Sequence, residues 1–589
     1  MAKHKQAVKL LKPQLNLKLQ LADILPARSV LKSRLGLNQR GPNLAKGAQV
    51  MKCLIYAFLF IITSSRACTI IGVGRLASVD GSVIVSHTDC GPDSRIRVVP
   101  GQTYKPGEQA AVYWGLQDPR QPLDGPTEIL GYIPQVAKTY TYFRSAYSHM
   151  NEHQLGIAES TTAQKSELDT EKGKCEQIMT IEAAQIFALQ RCRTAREAVR
   201  LIGDLMTTYG FLCSSGGSEA LCIGDPREVW ILEVFGVGPE WKKAGGKPGA
   251  IWAAQRLPDD HVTMIPNWSI IKEIQPQNKD EFMTSANYLQ EAVDRGWYDP
   301  QSGKPFVWQE AYTPLPQEYA TGRFWLFYST YTPHLADWPE RKLSGDPLQP
   351  INPYRQYVEP LSLYPFSAKP ERKLSVRDVI DFQRSVFEGT IYDMSEDPNW
   401  LVPAAEGGYA KSPLATPFPS HDLRLLLKLT NRRPVARHRG HYGMVCQLRE
   451  WLPDAIGGVY WVYLDNPYFS PYVPIYAGVT ETAECYQIYH PDHYSDQSAR
   501  WTIDFVDNLA GLRFQKAIEV VRSARDPWEA QIFSRQDSIE TEAAKRYKKN
   551  SHAGRAFLTR YCVDLQRQVP VLFIRLRETL ISQFTNNRE

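Results

Sequence analysis

Residues 68–89 read CTIIGVGRLASVDGSVIVSHTD, and the rest of the fold can be built outward from this stretch. Two apolar runs rich in β-branched residues, 69–73 and 82–86, flank the dipeptide Asp80-Gly81. Asp-Gly between two such runs is a strong hairpin signal, because these residues tolerate the positive φ angles of a tight turn. The sequence therefore predicts two antiparallel strands joined near residue 80.

The two ends of this predicted hairpin carry chemically useful side chains. Cys68 stands directly before the first strand, and Asp89 stands just past the end of the second. Antiparallel pairing brings the start of one strand beside the end of its neighbour. We therefore expect Asp89 to lie beside the Cys68 thiol.

The sequence before Cys68 has the three parts of a secretory signal peptide. A charged start is followed by an apolar run over 53–63 (CLIYAFLFIIT), and then by the small residues Ser65 and Ala67 at the spacing of a cleavage site. The apolar run is too short to span a bilayer comfortably. The pattern predicts a signal peptide over 51–67, whose removal makes the cysteine the new N-terminus, and a basic extension over 1–50.

The net charge divides unevenly between this leader and the rest of the chain. Residues 1–67 contain twelve Lys and Arg and one acid, Asp23, a formal charge of +11; the whole chain is +5, so residues 68–589 carry −6. Because the basic residues lie in the leader, we expect no nucleic-acid partner. With 43% hydrophobic and 22% charged residues, the 589-residue chain is globular, which excludes a disordered chain, a collagen and a polytopic membrane protein.

A cysteine at a new N-terminus has two chemical uses. Lipidation of its thiol normally requires an aliphatic residue three positions earlier with small residues between, whereas Ser65 and Arg66 stand here. In catalysis the thiol is the nucleophile and the α-amine of the same residue is the base, since an α-amine titrates near pH 8. The sequence favours Cys68 as a catalytic nucleophile over a lipidated, disulfide-bonded or simply buried cysteine.

The remaining cysteines, histidines and glycines give no metal or cofactor motif. No CxxC is present, and the glycines at 72 and 74 lack the third glycine and the helix of a dinucleotide loop. The histidine pairs 438/441 and 490/493 and the cluster 259–261 are more simply explained as solvated loops and turns, so we expect neither a metal nor a cofactor. Disulfides remain possible among an even set of cysteines: Cys90, Cys175, Cys192, Cys213, Cys222, Cys446, Cys485 and Cys562.

Hydrophobic periodicity and turn signals predict an α+β protein. One helix is expected over 176–208, ended by Gly210, and another over 374–388. Helical patterns from about residue 500 predict a mostly helical C-terminal region over 481–589. Two further pairs of neighbouring strands are expected: 220–223 with 229–234, and 250–255 with 262–265.

An ordered series of short motifs carries a family likeness. The segments CTIIG and SxDGS, followed by the aspartate at 89, resemble the opening of the dipeptidase A/secernin-like cysteine dipeptidases of the N-terminal-nucleophile (Ntn) hydrolase superfamily. A single motif is unspecific, whereas the ordered series over about 68–480 is fairly specific. The later motifs are MNE at 150–152, GIAEST at 156–161, EVWILE at 228–233, RLPDD at 256–260, QLREWLP at 447–453, GGVYW at 457–461 and PIY at 474–476.

This resemblance implies a fold and an activity. The expected fold is a four-layer αββα Ntn-hydrolase sandwich over 68–480, with the nucleophile at the end of a central strand. The expected activity is hydrolysis of the peptide bond in dipeptides or short peptides, without a metal or cofactor.

The resemblance also implies five site residues. They are the nucleophile Cys68, Asp89 as the acid that binds its α-amine, Asn151 in the oxyanion hole, Asn267 as a second polar residue near that hole, and Arg449 as the arginine near the nucleophile. Arg256 is the next choice for that arginine. Asn267 also opens an N-x-[ST] sequon, but a place in the active site predicts that it is buried.

Two other functions stay open on the sequence alone. The same fold could hydrolyse N-acyl amides, as penicillin V and bile-salt acylases do. If residues 1–67 stay attached, the chain would instead be a membrane-tethered binding or structural protein.

With cleavage, we expect an exported protein in an extracellular, periplasmic or lysosome-like compartment, with a dipeptide or short-peptide substrate and no stable membrane span. A homo-oligomer is left open.

Overall fold

The computed structural model describes residues 68–122, 128–314, 318–335, 364–390 and 392–585. The predicted basic extension (1–50) and signal peptide (51–67) lie outside the described residues. The predicted boundary at 480, between a hydrolase domain and a C-terminal region, stays a prediction.

The strands in the described ranges are β1 (Thr69–Val73), β2 (Val83–Thr88), β3 (Arg97–Val99), β4 (Gln109–Trp114), β5 (Glu128–Pro134), β6 (Tyr142–Arg144), β7 (Gly156–Thr162), β8 (Ser218–Gly224), β9 (Val229–Phe235), β10 (Ile251–Leu257), β11 (Val262–Ile265), β12 (Phe282–Thr284), β13 (Leu401–Pro403), β14 (Tyr409–Lys411), β15 (Tyr442–Leu448), β16 (Val459–Leu464) and β17 (Val473–Tyr476). They form a six-stranded sheet of order β11-β1-β2-β15-β16-β17, a five-stranded sheet of order β12-β10-β9-β8-β7, and three two-stranded sheets. Neighbouring strands in both large sheets are antiparallel.

The helices in the same ranges are α1 (Ile181–Arg191), α2 (Ala195–Tyr209), α3 (Gln290–Asp294), α4 (Trp308–Tyr312), α5 (Glu318–Tyr331), α6 (Val376–Gln383), α7 (His421–Leu427), α8 (Asp454–Gly457), α9 (Ala499–Ala510), α10 (Phe514–Lys549) and α11 (Ser551–Phe584). The mixed helix-and-sheet class and the helical C-terminal region are therefore confirmed.

The predicted N-terminal hairpin is confirmed. β1 and β2 pair antiparallel with Thr69 opposite Thr88, and the Thr69 N–H also donates to the Thr88 hydroxyl oxygen at 2.9 Å. The connection is longer than a two-residue turn, because residues 74–82 form a loop between the strands. Within that loop the Asp80 carboxylate accepts hydrogen bonds from the N–H and the hydroxyl of Ser82.

The predicted helix over 176–208 is two helices. α1 ends at Arg191, and α2 begins after Thr194, whose hydroxyl oxygen accepts from the Glu197 N–H while the Glu197 carboxylate accepts from the Thr194 N–H. This reciprocal capping box starts a new helix inside a continuous apolar period, and periodicity alone does not reveal it. Gly210, with a φ of 72°, ends α2 as predicted.

Of the two predicted strand pairs, one is confirmed and one is wrong. β8 pairs with β9 as expected. β10 pairs with β9 and β12, whereas β11 pairs with β1 in the other large sheet. The short turn between β10 and β11 therefore carries the chain from one sheet to the other. Since Ile70 lies opposite Ile265, the residues that follow β11 reach the start of β1.

The two large sheets contact each other through β1 and β2 on one side and β7 and β8 on the other. Helix α2 packs against β8, β9 and β10, while α6 packs against β2 and β15, α9 against β16, and α11 against β17. Every residue of β1, β2, β7, β8 and β9 is buried. These strands lack the in–out alternation of a half-exposed sheet because both of their faces are covered.

The C-terminal helices α10 and α11 are 36 and 34 residues long and pack against each other. Both contain an internal proline, Pro527 and Pro570. None of the helices in the described ranges combines the length and the apolar character needed to cross a bilayer.

The cysteines of the described ranges are free thiols. Their even number left disulfides open on the sequence alone, and none of the nine described cysteines forms one. Burial raises the pKa of several of these thiols, including that of Cys192 to about 12. Such thiols are weak nucleophiles at neutral pH because the thiolate is the reactive form.

Candidate active site

Cys68 lies directly before β1, where the hairpin meets the facing sheet. Its Sγ atom is 3.6 Å from the main-chain oxygen of Asp89, at the end of β2, and 3.9 Å from Oε2 of Glu159, on β7. The residue is 6% exposed. The hairpin thus brings Cys68 and Asp89 together as the sequence predicted, and the second sheet adds a carboxylate that the sequence analysis did not single out.

The surroundings of Cys68 keep its thiol protonated. Burial raises the pKa of the thiol well above its ordinary value, and the carboxylates of Glu159, Asp89 and Glu219 raise it further. The main-chain N–H of Thr161 acts in the opposite direction by donating toward the sulfur. The thiol therefore loses its proton near neutral pH only to a base placed directly beside it.

Asp89 is fixed at the end of β2 in a left-handed backbone conformation. Its φ is 56°, in a region that Asp and Asn enter more readily than other residues with side chains. Its N–H donates to the Tyr463 hydroxyl oxygen at 3.1 Å, and its Oδ2 accepts from Nη1 of Arg437 at 3.3 Å. These contacts hold the carboxylate next to Cys68.

Asn267 follows β11 and is fully buried beside the same site. Its amide nitrogen donates to the Ser160 hydroxyl oxygen at 3.2 Å and to the main-chain oxygen of Thr161 at 2.9 Å. Both amide hydrogens are therefore used to hold β7 in place, which makes Asn267 a positioning residue. Its full burial is the outcome that the sequence analysis expected, and it leaves no room for a glycan in the folded chain.

A buried arginine from α5 ties the nucleophile to Asn267. Arg323 is completely buried. Its Nη1 donates to the main-chain oxygen of Cys68 at 2.6 Å and to Thr69 Oγ1 at 2.8 Å. Its Nη2 donates to the main-chain oxygen of Pro266 at 2.7 Å and to Asn267 Oδ1 at 3.0 Å. Arg323 is therefore the arginine beside the nucleophile.

The structure places Arg449, the predicted arginine, in a different network. Its guanidinium pairs with Glu540 of α10 at 2.7 and 2.8 Å and donates to two main-chain oxygens of α8. The second choice, Arg256, pairs with Glu228 and Asp259. Because the donors of Arg449 are committed to these partners, its assignment to the catalytic site does not hold.

Asn151 closes a turn before β7. Its amide nitrogen donates to the main-chain oxygens of Leu189 and Cys192 at 2.8 and 2.9 Å, and its Oδ1 accepts from the N–H groups of His153 and Leu155. All four hydrogen-bonding positions of the amide are filled. No amide hydrogen is left for an oxyanion, so the predicted oxyanion role does not fit this geometry.

Two buried acids lie next to the sulfur on one face of the five-stranded sheet. Glu219 of β8 lies opposite Thr161 of β7, two residues from Glu159. Burial raises the pKa of Glu159 to about 7, and the nearby Glu182 carboxylate adds to the effect. Burial and the neighbouring Glu159 raise the pKa of Glu219 well above its ordinary value. The pair therefore holds a proton near neutral pH.

Two overlapping trios of side chains are close enough to share a metal ion in the described ranges: His87 with Cys90 and His149, and His87 with Cys68 and Glu159. The main-chain N–H of Glu159 donates to His87 Nδ1 at 3.3 Å. Burial lowers the pKa of His87 well below its ordinary value, so the ring is neutral and its hydrogen sits on Nε2. With one ring nitrogen accepting a bond and the other protonated, His87 does not fit a metal ligand.

Comparison with known proteins identifies the family. The profile of Peptidase family C69 matches residues 67–526. The chain belongs to peptidase family C69. Probable dipeptidase B of Lactococcus lactis subsp. lactis (strain IL1403) is 25% identical over 489 residues, which are 82% of this chain and 88% of the relative.

Two further relatives of this C69 peptidase carry similar names. A probable dipeptidase of Latilactobacillus sakei is 24% identical over 494 residues, which are 81% of this chain and 89% of the relative. A probable dipeptidase of Salmonella dublin is 24% identical over 429 residues, which are 70% of this chain and 81% of the relative. The family resemblance seen in the sequence is therefore confirmed, and the chain is a peptidase.

The sequence analysis did not identify three groups near Cys68: Arg323, Glu159 and the main-chain N–H of Thr161. Arg323 is the single cation in a helix that reads EYATGRFWLFYSTY, and a cation among so many aromatic residues was a usable signal. Glu159 is the only charged residue in the strand GIAESTT, which was a second signal. The N–H of Thr161 belongs to the main chain and has no signature in the sequence.

The Arg449–Glu540 pair of this C69 peptidase predicts a stability effect without a catalytic one. Arg449→Met leaves the Glu540 carboxylate buried without its cation, and we expect a loss of about 3–5 kcal/mol in the free energy of unfolding. Urea denaturation measures that loss. The double variant with Glu540→Leu is expected to recover most of it. If Arg449→Met lowered kcat without lowering the free energy of unfolding, Arg449 would belong to the catalytic site after all.

The Glu159 carboxylate predicts a pH effect on the nucleophile. Because a nearby negative charge raises the pKa of the Cys68 thiol, Glu159→Gln is expected to lower that pKa and to shift the pH curve of thiol alkylation to lower pH. Iodoacetamide labelling of Cys68, followed by mass spectrometry across pH, measures the shift. Glu152→Gln, which removes a carboxylate paired with Arg555, is the control and is expected to leave the curve in place. An unshifted Glu159→Gln curve contradicts the prediction.

Proposed function

We propose that this C69 peptidase is a cysteine-type dipeptidase, with Cys68 as nucleophile at a new N-terminus freed when residues 51–67 are removed as a signal peptide. The observation that carries the proposal is the meeting of three groups at the Cys68 sulfur: the main-chain oxygen of Asp89, the carboxylate of Glu159 and the N–H of Thr161. The names of the relatives support the substrate class. Export of the chain belongs to the same proposal.

The fold that accompanies this proposal is the four-layer αββα Ntn-hydrolase sandwich. Its support is the sequence of contacts described above: α2 packs on the five-stranded sheet, that sheet on the six-stranded sheet, and α6, α9 and α11 on the latter. Helices that cover both outer faces of two stacked sheets bury the apolar residues of every layer.

The first chemical step is loss of the thiol proton. A free α-amine titrates near pH 8, so enough of it is neutral at physiological pH to accept the proton from its own side chain. Before cleavage the same nitrogen belongs to an amide and is not a base, while burial keeps the pKa of the Cys68 thiol high. Asp89, whose main-chain oxygen is 3.6 Å from the Cys68 sulfur, is the acid that would hold the resulting ammonium group.

The second step is attack of the thiolate on the scissile carbonyl. The main chain of Thr161 lowers the pKa of the Cys68 thiol, and its N–H is the candidate donor to the oxyanion; one such donor typically contributes about 10²–10³ in rate. Asn267 holds the strand that presents this N–H. The protonated amine then gives its proton to the leaving nitrogen, and water hydrolyses the thioester to restore the thiol.

The Glu159 carboxylate supports a substrate with a free amino group. In an amino acid the α-nitrogen lies about 2.5 Å from the carbonyl carbon. A nucleophile that attacks that carbon therefore has the substrate ammonium as its close neighbour. Glu159 Oε2, 3.9 Å from Sγ, is suited to accept a hydrogen bond from that ammonium, whereas the acyl chain of an N-acyl amide would place an apolar group beside a buried acid.

The experiment that tests this proposal compares two proteins: one that begins at Cys68 after protease removal of a tag, and one that retains Ala67. Each is assayed against a panel of dipeptides and N-acyl amides, and the N-terminus of the naturally processed protein is read by mass spectrometry. We expect a natural N-terminus at Cys68, and dipeptide hydrolysis by the first protein alone. Equal turnover by the protein that retains Ala67 overturns the mechanism, and hydrolysis of acyl amides alone makes the enzyme an acylase. A natural chain that still begins at Met1 or Met51 overturns the mechanism and favours a membrane-tethered binding or structural protein.

A further inference from the structure

The segment before β15 carries an arginine with one edge that has no partner. Nη1 of Arg433 donates to the main-chain oxygens of Pro434 and Val435. Its Nε and Nη2 atoms are buried, and no group in the described part of the chain accepts a hydrogen bond from either. A buried charged donor without an acceptor is costly to a fold, so an acceptor from outside the chain is the natural explanation.

The two unpartnered atoms form the edge of a guanidinium that matches a carboxylate. Nε–H and Nη2–H point in the same direction and are spaced for the two oxygens of one carboxylate. Elsewhere in this chain Arg95 uses the same edge to hold Asp93, with Nε and Nη2 at 2.8 and 2.9 Å from its two oxygens. Arg196 holds Glu228 in the same way. The edge that Arg433 leaves empty is therefore one that binds carboxylates elsewhere in this fold.

Sheet register brings the Arg433 segment to the active site. β15 runs antiparallel to β2 with Met444 opposite His87, so the residues before β15 meet the residues after β2. The N–H of Cys90 donates to the main-chain oxygen of Tyr442 at 2.9 Å, which continues this pairing past the end of β2. Asp89 stands between these two contacts.

The ion pair between Arg437 and Asp89, at 3.3 Å, places the segment four residues after Arg433 beside the nucleophile, and the charges around Arg433 agree with this position. Burial lowers the pKa of Arg433 well below its ordinary value, Arg323 and Arg437 lower it further, and Asp89 and Cys68 raise it. The other two arginines already have their acceptors: Arg323 donates to five oxygens, and Arg437 pairs with Asp89. Arg433 is the cation of this group whose carboxylate-binding edge is empty.

We propose that Arg433 binds the free carboxylate of the amino acid that leaves, the C-terminal carboxylate of the substrate. This inference rests on the proposed hydrolysis of dipeptides by Cys68 and adds the residue that selects them over longer peptides. In a dipeptide the carboxylate carbon is two bonds from the scissile nitrogen, so a cation close to the nucleophile reaches it. A longer peptide presents a neutral amide at the same place, and an amide oxygen fills only one of the two donors.

The test compares a dipeptide that the mature enzyme hydrolyses with the same dipeptide bearing a C-terminal amide. The wild-type enzyme is expected to prefer the free acid by about 10²-fold or more in kcat/KM, because the amide is uncharged and its oxygen fills only one of the two donors. In Arg433→Gln, kcat/KM for the free acid is expected to fall by a similar factor, while kcat/KM for the amide hardly changes. The preference for the acid therefore disappears. Arg433→Lys keeps the positive charge but not the two parallel donors of a guanidinium. Its preference for the acid is expected to lie between those of the wild type and Arg433→Gln.

Two controls separate substrate binding from a structural role. Arg439→Gln removes an exposed arginine from the same segment and is expected to keep the wild-type preference. The thermal unfolding midpoint of Arg433→Gln is expected to be equal to or above that of the wild type, because the variant removes a buried charge without a partner. A lowered midpoint with acid and amide hydrolysis reduced equally shows a structural residue and overturns the proposal.

If a variant fails to fold, the comparison of the dipeptide and its amide with the wild-type enzyme still tests the proposal. Equal hydrolysis of the dipeptide and its amide overturns the role of Arg433 while leaving hydrolysis by Cys68 intact. Hydrolysis of neither substrate by a chain that begins at Cys68 instead defeats the proposed function. A strong preference for the acid that disappears in the Arg433→Gln variant supports both.

Discussion

Cys68→Ser is expected to lower kcat by about 10³–10⁶-fold in the protein that begins at this residue. A serine hydroxyl holds its proton far more tightly than a thiol and is the weaker nucleophile, so the α-amine activates it much less in a site built for sulfur. Initial rates of dipeptide hydrolysis measure the loss. Cys68→Ala is expected to give the same residual rate, because neither variant forms a thioester.

Cys175→Ser is the matched control for the nucleophile. Cys175 is a free, half-buried thiol outside the site, and its Sγ donates to the main-chain oxygen of Glu171. Serine can make the same hydrogen bond, so kcat is expected to stay within about twofold of the wild type. If Cys68→Ser retained a tenth of the wild-type rate, Cys68 would not be the nucleophile.

Arg323→Met is expected to damage both stability and activity. It removes donors from the main-chain oxygens of Cys68 and Pro266 and from the side chain of Asn267. Leaving these buried acceptors unpaired costs about 1–3 kcal/mol each before relaxation, and we expect a total loss of about 3–5 kcal/mol in the free energy of unfolding. Because the nucleophile then loses its anchor, kcat is expected to fall by about 10²-fold in the molecules that remain folded.

Arg256→Met serves as the comparison for Arg323→Met. Arg256 makes ion pairs with Glu228 and Asp259 and is about a quarter exposed, 25% by side-chain area. Its loss is expected to cost about 1 kcal/mol and to leave kcat unchanged. Urea denaturation and steady-state rates at a temperature where all variants are folded distinguish the two arginines. A full-rate Arg323→Met enzyme would show that the Cys68 main chain is held by other contacts.

The parts of the site that could be predicted from the sequence depend on local signals. Cys68 and Asp89 lie at the two ends of one hairpin, and the pattern of β-branched runs predicts that hairpin. The position of Asn267 follows less directly, because β11 had to cross to the other sheet to bring it there. The sequence analysis placed Asn267 by its resemblance to a family motif, and paired β11 with the wrong strand.

The parts that were not predicted depend on contacts between distant segments. Arg323 is 255 residues from Cys68 in the chain, and α5 is buried along nearly its whole length, so no amphipathic period marks the helix. Asn151 shows the opposite error. Its motif is local, but an asparagine at the start of a turn more often bonds to its own main chain than to a substrate, and here it does.

The pair of Arg449 and Glu540 also sets an order of events while the chain is being made. The ribosome synthesises the strands of the six-stranded sheet before α10 emerges. Arg449 therefore has no Glu540 carboxylate to pair with until translation is nearly complete. Cys68, by contrast, is among the first residues of the domain to appear. The newborn chain therefore carries Cys68 throughout synthesis, whereas the ion pair that joins Arg449 to α10 forms only after that helix has been made.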